Sequence, residues 1–290
     1  MRFSYAETFC DPSFLAPLAQ AAEQAGYDSF VVPDSLIFPA ESDTRYPYTP
    51  DGDRAFLEDK PIIEPFALIP YLAARTGRIR FTTFVLKLAV RPVVLVAKQA
   101  ASIAVLSDNR LRLGVGISPW PEDFAAMDVP WDRRGRRLDE QLDVLRGLTA
   151  GGWFEYHGEQ VDLARCKISP VPSAPIPLLV GGHADVALRR AARAGDGWIH
   201  AGGDPVQLGE MITRLHALRT EYGHAQKPFE IHAISLDAFS VDGARRLEDL
   251  GVTDAIVGFR YPYVREPDTQ PLAEKIDLLN RFADAVMSRV

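Results

Sequence analysis

The sequence predicts an α/β fold, a closed (β/α)8 barrel of the TIM type with insertion loops. Three observations predict it. The chain repeats one phrase about eight times, a short β-branched run, a turn and then an amphipathic helix. Such a barrel needs roughly 250 residues, so a chain of 290 residues holds all of it with about 40 to spare. Apolar residues make up 47% of the composition, enough for one large core. No linker interrupts the alternation, so 1–290 reads as a single domain.

Taken in order, Arg2 to Ala6 (RFSYA) is the first strand and Phe14 to Ala25 its helix. Ser29 to Val32 (SFVV) is the second, reaching its helix, Glu64 to Arg75, only after an interruption. Ile79 to Val85 leads into Val93 to Leu106, and Leu111 to Ile117 into Arg133 to Leu148. Leu178 to Val180 precedes Ala184 to Ala194, and Trp198 to His200 precedes Pro205 to Tyr222. Phe229 to Phe239 with Gly243 to Leu250, and Asp254 to Phe259 with Pro271 to Val290, complete the set. Periodicity alone does not separate a buried strand from a stretch of buried helix, so length and flanking Gly and Pro decide each one.

Two stretches hold the excess length. Residues 36–63 carry Pro39, Pro47, Pro50 and Pro61 among Phe38, Tyr46, Tyr48 and Phe56, which opposes regular structure while keeping apolar surface. The stretch lies between the second strand and its helix, on the rim where barrel chemistry sits, and reads as a lid rather than a decorative loop. Residues 151–177, with Trp153, Phe154 and Tyr156 ahead of Pro170, Pro172, Pro175 and Pro177, begin on the opposite face unless they climb the barrel side.

Cys10 and Cys166 show neither a CxxC nor a Cys/His metal spacing, as expected in a reducing compartment. No apolar run approaches the roughly 20 residues of a membrane span, and the N-terminus enters a strand at once, so a cytoplasmic protein without membrane partners is expected. A net charge of −7 speaks against a nucleic-acid partner. One basic run departs from that balance: Arg133, Arg134, Arg136 and Arg137 crowd a helix start, where the macrodipole disfavours cations. They either pair with Glu122, Asp123, Asp139 or Glu140 or meet an anionic ligand tail, with Asp132 as a possible helix cap.

Polar residues at strand ends mark the rim. Asp34 directly follows the apolar run Phe30 to Pro33, and a carboxylate there must find a partner, a ligand or a turn to cap. Thr82, Thr83 and Phe84 end the third strand, with Lys87 and Arg91 shortly after; their hydroxyls and cations either bind an oxyanion or ring carbonyl or are ordinary sheet residues. Gly114 and Gly116 give up packing for the close approach of another backbone or a planar ligand, and Ser118 follows them. Gly181, Gly182 and His183 form a strand-to-helix turn whose free amides at a positive helix end suit a phosphate. His183 contacts the same anion or caps the helix. His200 has the residue type of an acid or base near neutrality, although one strand-end histidine is commonly structural. There is no GxSxG elbow, no HExxH and no clustered carboxylate set for a divalent metal. A phosphate cradle, a glycine-softened wall and an aromatic lid suit an organic cofactor that performs the chemistry itself.

Several ordered segments carry a resemblance. They are Ala25-Gly26-Tyr27-Asp28-Ser29 with Val32-Pro33-Asp34; Ala73 through Arg80; Arg91-Pro92-Val93 with Ala97-Lys98-Gln99-Ala100-Ala101; Leu113-Gly114-Val115-Gly116; Arg134-Gly135 through Glu140; and Gly181-Gly182 with Ala187 through Ala192 and Gly195-Asp196-Gly197-Trp198. On these, nearly the whole chain resembles the luciferase-like monooxygenase superfamily, and within it the oxidoreductases that use coenzyme F420, a deazaflavin. The resemblance implies a ring bound at the strand ends, with Asp34 hydrogen-bonded to it and Thr83 and Phe84 behind it. Gly181 and Gly182 would hold phosphate, and Gly116, Ser118 and His183 complete the expected cofactor contacts. It also implies a non-proline cis peptide near Phe84-Val85 and a homodimer.

Two departures concern the proton donor. Many F420-using relatives have His directly after the strand 2 Asp, where this chain has Ser35, and an acid near Ser118-Pro119, where the nearest carboxylates are Glu122 and Asp123. Ser35, His200 or water would then serve. The expected activity is hydride transfer between F420 and a small, apolar or aromatic substrate. The alternatives are a monooxygenase using reduced FMN and an F420- or flavin-binding protein without turnover.

Overall fold

In a computed structural model, residues 1–7, 9–47, 49, 51–260 and 265–290 are described; Tyr48 and Pro50, named above, lie outside them. In chain order the elements are β1 (Arg2–Tyr5), α1 (Leu15–Gln24), β2 (Ser29–Val32), α2 (Pro65–Ala73), β3 (Arg80–Thr83), β4 (Leu86–Lys87), α3 (Val93–Leu106) and β5 (Leu111–Gly116). There follow α4 (Pro121–Ala126), α5 (Arg134–Thr149), β6 (Phe154–His157), β7 (Asp162–Cys166), β8 (Leu178–Gly181), α6 (Asp185–Ala194) and β9 (Gly197–His200). The chain ends with α7 (Pro205–Glu221), β10 (Glu230–Ile234), α8 (Val241–Asp249), β11 (Asp254–Val257) and α9 (Leu272–Ala285). Parallel pairing runs β1-β2-β3-β5-β8-β9-β10-β11 and returns to β1, which closes an eight-stranded barrel. The expected TIM barrel is thus present. No helix among the described residues is long and apolar enough to cross a membrane.

Alternation along each strand sorts residues between two cores. Phe30, Val32, Leu113, Val115, Leu178, Val180 and Trp198 point outward into the large cluster between strands and helices. Val31, Leu179, Ile199, Ile234 and Ile256 point inward, with Ala6, Phe84 and Val85 against them, and form an apolar layer inside the barrel. Below that layer, toward the strand N-termini, the interior is ionic: Arg112 bridges Asp28 and Glu230, while Arg2 binds Asp254.

Some local expectations need revision. The strand expected over Phe229 to Phe239 stops at Ile234, because Ser235 accepts from the Asp237 amide and starts a 3-10 turn over Leu236–Phe239. Asp132 does not cap α5, which begins after Arg133 at φ 57° with no side-chain cap. The short α4 begins at Pro121 with Glu122 and Asp123 in its first turn, a start signal that was readable in the sequence. The 151–177 stretch forms the antiparallel hairpin β6–β7 along the barrel side, with Phe154 over Gly147 and its turn amides at Glu159, Gln160 and Val161 donating to the Glu140 carboxylate on α5.

Candidate active site

A cavity of about 550 Å³ opens where the strands end. Its wall takes residues from beyond β1 (Phe9), β2 (Pro33 to Ser35), β3 (Phe84 and Val85), β5 (Ile117 to Trp120), β8 (Gly182 to Ala184) and β9 (Ala201). Tyr46, Pro47, Phe56, Leu57 and Ile62 of the 36–63 insertion also line it, so part of that stretch forms wall of the cavity. Stacking ties the insertion to the segment after β5: Tyr46 lies parallel to Trp120, with ring centroids 5.5 Å apart and an interplanar angle of 10°. The Arg54 guanidinium lies 4.9 Å from the Trp120 centroid and 5.3 Å from that of Phe38.

Between β3 and β4 the Phe84-Val85 peptide is cis. This bulge explains the glycines opposite it. A Cβ on Gly114 would run into the Thr83 carbonyl oxygen, one on Gly116 would lie 2.8 Å from Val85 Cγ2, and one on Gly181 3.0 Å from Val85 Cγ1. Of the two readings left open for Gly114 and Gly116, close approach of the neighbouring strand region accounts for both.

Asp34 lies on the cavity wall, but its carboxylate is engaged within the protein. Oδ1 accepts from Arg91 Nη2 at 2.8 Å and Oδ2 from the Lys87 amide at 2.8 Å, and no part of the side chain reaches solvent. Thr83 is buried off the wall, its hydroxyl donating to the Gly114 carbonyl at 2.7 Å. Phe84, Gly116, Ser118, Gly181, Gly182, His183 and Ser35 all line the cavity. The structure therefore gathers every expected site residue except Thr83 and His200 onto one wall.

His200 is buried behind His183, the two rings stacked with centroids 4.5 Å apart. Its Nδ1 accepts from the Gly202 amide, and His183 Nε2 accepts from the Ala201 amide at 3.0 Å. Burial pushes the His183 imidazolium down to about 4. Burial, then the neighbouring His183, push His200 down to about 3. Both rings are neutral at pH 7, and His200 has no proton to lend there as an acid.

Next to His183, Gly182 has φ 120°, and a Cβ on it would lie 2.9 Å from that of Ala187. No side chain caps α6, and Ala184, Ala187 and Arg190 line the cavity beside that turn. Arg190 is spent on Asp139 and the Gly135 carbonyl. The basic run divides as well. Arg133 and Arg136 pair with Glu159 and Glu140, and Arg137 donates to the Pro130 carbonyl. Arg134 lies 3.6 Å from the Trp131 centroid and lines the cavity, with no ion pair among the described residues. Phe9 and Trp131 were not singled out from the sequence; Trp131, three residues before Arg134 on the rim, was the available signal for a stacked cation.

A family model described as luciferase-like monooxygenase matches residues 4–269. The chain belongs to that family. It is 59% identical over its full length, and that of the relative, to an uncharacterized protein of Mycobacterium tuberculosis. It is 30% identical over 204 residues to an F420-dependent glucose-6-phosphate dehydrogenase of Amycolatopsis mediterranei, covering 68% of this chain and 56% of that one. Among solved structures, this luciferase-like chain is similar in fold to the coenzyme F420 dependent tetrahydromethanopterin reductase from Methanopyrus kandleri, with a TM-score of 0.75, 15% identity and coverage of 99% and 98%. The family is one of oxidoreductases and monooxygenases with F420-dependent members, and its barrel is the one described above.

Proposed function

We propose that this luciferase-like protein is an F420-dependent oxidoreductase that moves hydride between the deazaflavin and a small, largely apolar or aromatic substrate under the 36–63 lid. One observation carries the reading: a single cavity joins the apolar floor at Phe84, Val85 and Ile199 to the uncapped α6 turn at Gly181 to Ala184. That shape fits a flat ring with a phosphorylated tail. The turn offers main-chain amides at a positive helix end and, at Gly182, no side chain to obstruct them. When bound, a deazaflavin supplies a hydride donor or acceptor and little reactivity toward oxygen.

The residues divide the remaining work. Gly181, Gly182 and Ala184 would hold the phosphate. Phe84, Val85 and Gly116 would back the ring, with Ser118 and His183 at its edges. Asp34, locked to Arg91 and the Lys87 amide, holds the bulge in place. Of the two side chains expected to move protons, Ser35 faces the cavity and His200 does not. The reading extends to a cytoplasmic homodimer, which sedimentation of the purified protein would reveal.

The deciding experiment is binding. Quenching of F420 fluorescence by the purified protein, with affinity lost in Gly182→Val, is the expected outcome. Preference for FMN would move the chain to the monooxygenase reading. F420 binding without hydride exchange over a broad substrate panel would leave a binding protein.

A further inference from the structure

Lys87 is a buried cation on the cavity wall that none of the roles above uses. Its position is fixed from both sides. The main chain pairs with Gly116 of β5, its amide donates to Asp34, and the following turn, Leu88–Val90, is buried in the core. The side chain is 9% exposed, and Nζ lies 2.7 Å from Asp123 Oδ2. Asp123 is 1% exposed and off the wall, and the same oxygen accepts from Ser118 Oγ at 2.6 Å. Of the pair, Lys87 lines the cavity and Asp123 stands behind it.

An ammonium carries three donors, and among the described residues Asp123 is the only partner of Nζ. A buried charged donor with unused hydrogen bonds favours an acceptor in front of it. Among the described residues the one carboxylate on the wall, Asp34, is turned to Arg91 and offers none. The other cations on the wall belong elsewhere, Arg45 to the lid and Arg134 and Arg190 to the α5–α6 side. Among the described cations on the wall, Lys87 alone is anchored at the bulge, in the segment that also supplies Phe84 and Val85.

We propose that Lys87 seats a conjugated oxyanion, a phenolate- or enolate-type oxygen carried by the bound redox ring or by the substrate, with Asp123 and Ser118 as its positioning residues. The proposal rests on the reading that a deazaflavin or flavin works in this cavity. A fixed ammonium in a site screened from water stabilises such an oxygen without reorganising.

The test compares Lys87→Met, Lys87→Arg and Ser118→Ala with the wild type, using 4-nitrophenol as a probe whose absorbance reports its ionisation. Wild type is expected to raise the phenolate fraction at fixed pH; Lys87→Met loses the effect, Lys87→Arg keeps part of it and Ser118→Ala weakens it. An oxyanion on the ring predicts that Lys87→Met binds cofactor about tenfold more weakly, with an altered bound spectrum. An oxyanion on the substrate predicts unchanged cofactor affinity and spectrum, with kcat lower by roughly 100-fold and KM little changed. Phenol ionisation, cofactor spectrum and kcat all equal to wild type in Lys87→Met would overturn the seat and leave the cofactor reading standing. Should Lys87→Met not fold, a phenolate signal unchanged in Ser118→Ala and Lys87→Arg overturns it. Wild type that binds neither F420 nor FMN, yet ionises the phenol through Lys87, keeps the seat and retires the cofactor reading.

Discussion

Asp34 was legible as a carboxylate in need of a partner, but not as one already satisfied, because Arg91 lies 57 residues away and only the β4 bulge brings the two together. Asp34→Ala leaves Arg91 with the half-exposed Glu64 alone and the Lys87 amide without its acceptor. The expected loss is about 3 kcal/mol, the range for breaking a buried pair, measured by urea denaturation; unchanged stability would return Asp34 to the ligand. The two stacked histidines set a pH dependence whose sign follows from their depressed values. Below the unfolded value near 6.5 the unfolded chain takes up protons that the folded one refuses, down to about 4 for His183 and about 3 for His200. Their contribution is complete above that window and lost as pH falls through it. His200→Asn should flatten the fall in melting temperature between those limits, read by scanning calorimetry across pH.

At the scale of elements, the strand ends announced themselves because each needed a residue type that strands and helices otherwise avoid: Gly at 181 and 182, and Pro33 followed by the carboxylate of Asp34. The glycines of β5 were legible as close-approach positions, while the partner, a bulge on β3–β4, was not, since a two-residue strand such as Leu86–Lys87 has no period to detect. The 36–63 insertion is a second such case. Its aromatics were visible, yet its anchor, Trp120, belongs to the segment after β5. Trp120→Ala removes the stacked partner of Tyr46 and one face of the Arg54 sandwich. Together such contacts are worth on the order of 1–2 kcal/mol, so limited proteolysis should cut within residues 36–63 about tenfold faster while the barrel stays intact. Equal cleavage rates would show that the stack does not close the mouth.

The whole barrel was readable from its count of alternations, because each strand and helix carries its own local pattern. The ionic floor at the strand N-termini was not. Arg2, Arg80 and Arg112 look like ordinary breaks in apolar runs, and their carboxylates Asp28, Glu230 and Asp254 are scattered across the chain until closure of the ring brings them together. Glu230, His232 and Asp254 also present ligand atoms within 4.8 Å of one another, but Arg2 and Arg112 already neutralise that corner. The charge there serves the closed barrel, and the cavity lies at the other end of the strands. Burial alone would push the Glu230 carboxyl up; the His232 hydrogen bond and the Arg112 and Arg2 charges bring it down to about 2. Its stabilising contribution is therefore present above its ordinary value near 4.5 and lost as pH falls toward 2. Arg112→Met leaves Asp28 with Arg80 and Glu230 with Arg2 and His232, which should cost about 3 kcal/mol, the low end for breaking a buried pair, and move the acid limb of the stability profile upward in pH. Cofactor affinity, measured under conditions where the variant is folded, should equal that of the wild type. A drop in affinity instead would mean that the floor and the mouth of the barrel are mechanically coupled through the inward layer of Val31, Leu179, Ile199, Ile234 and Ile256.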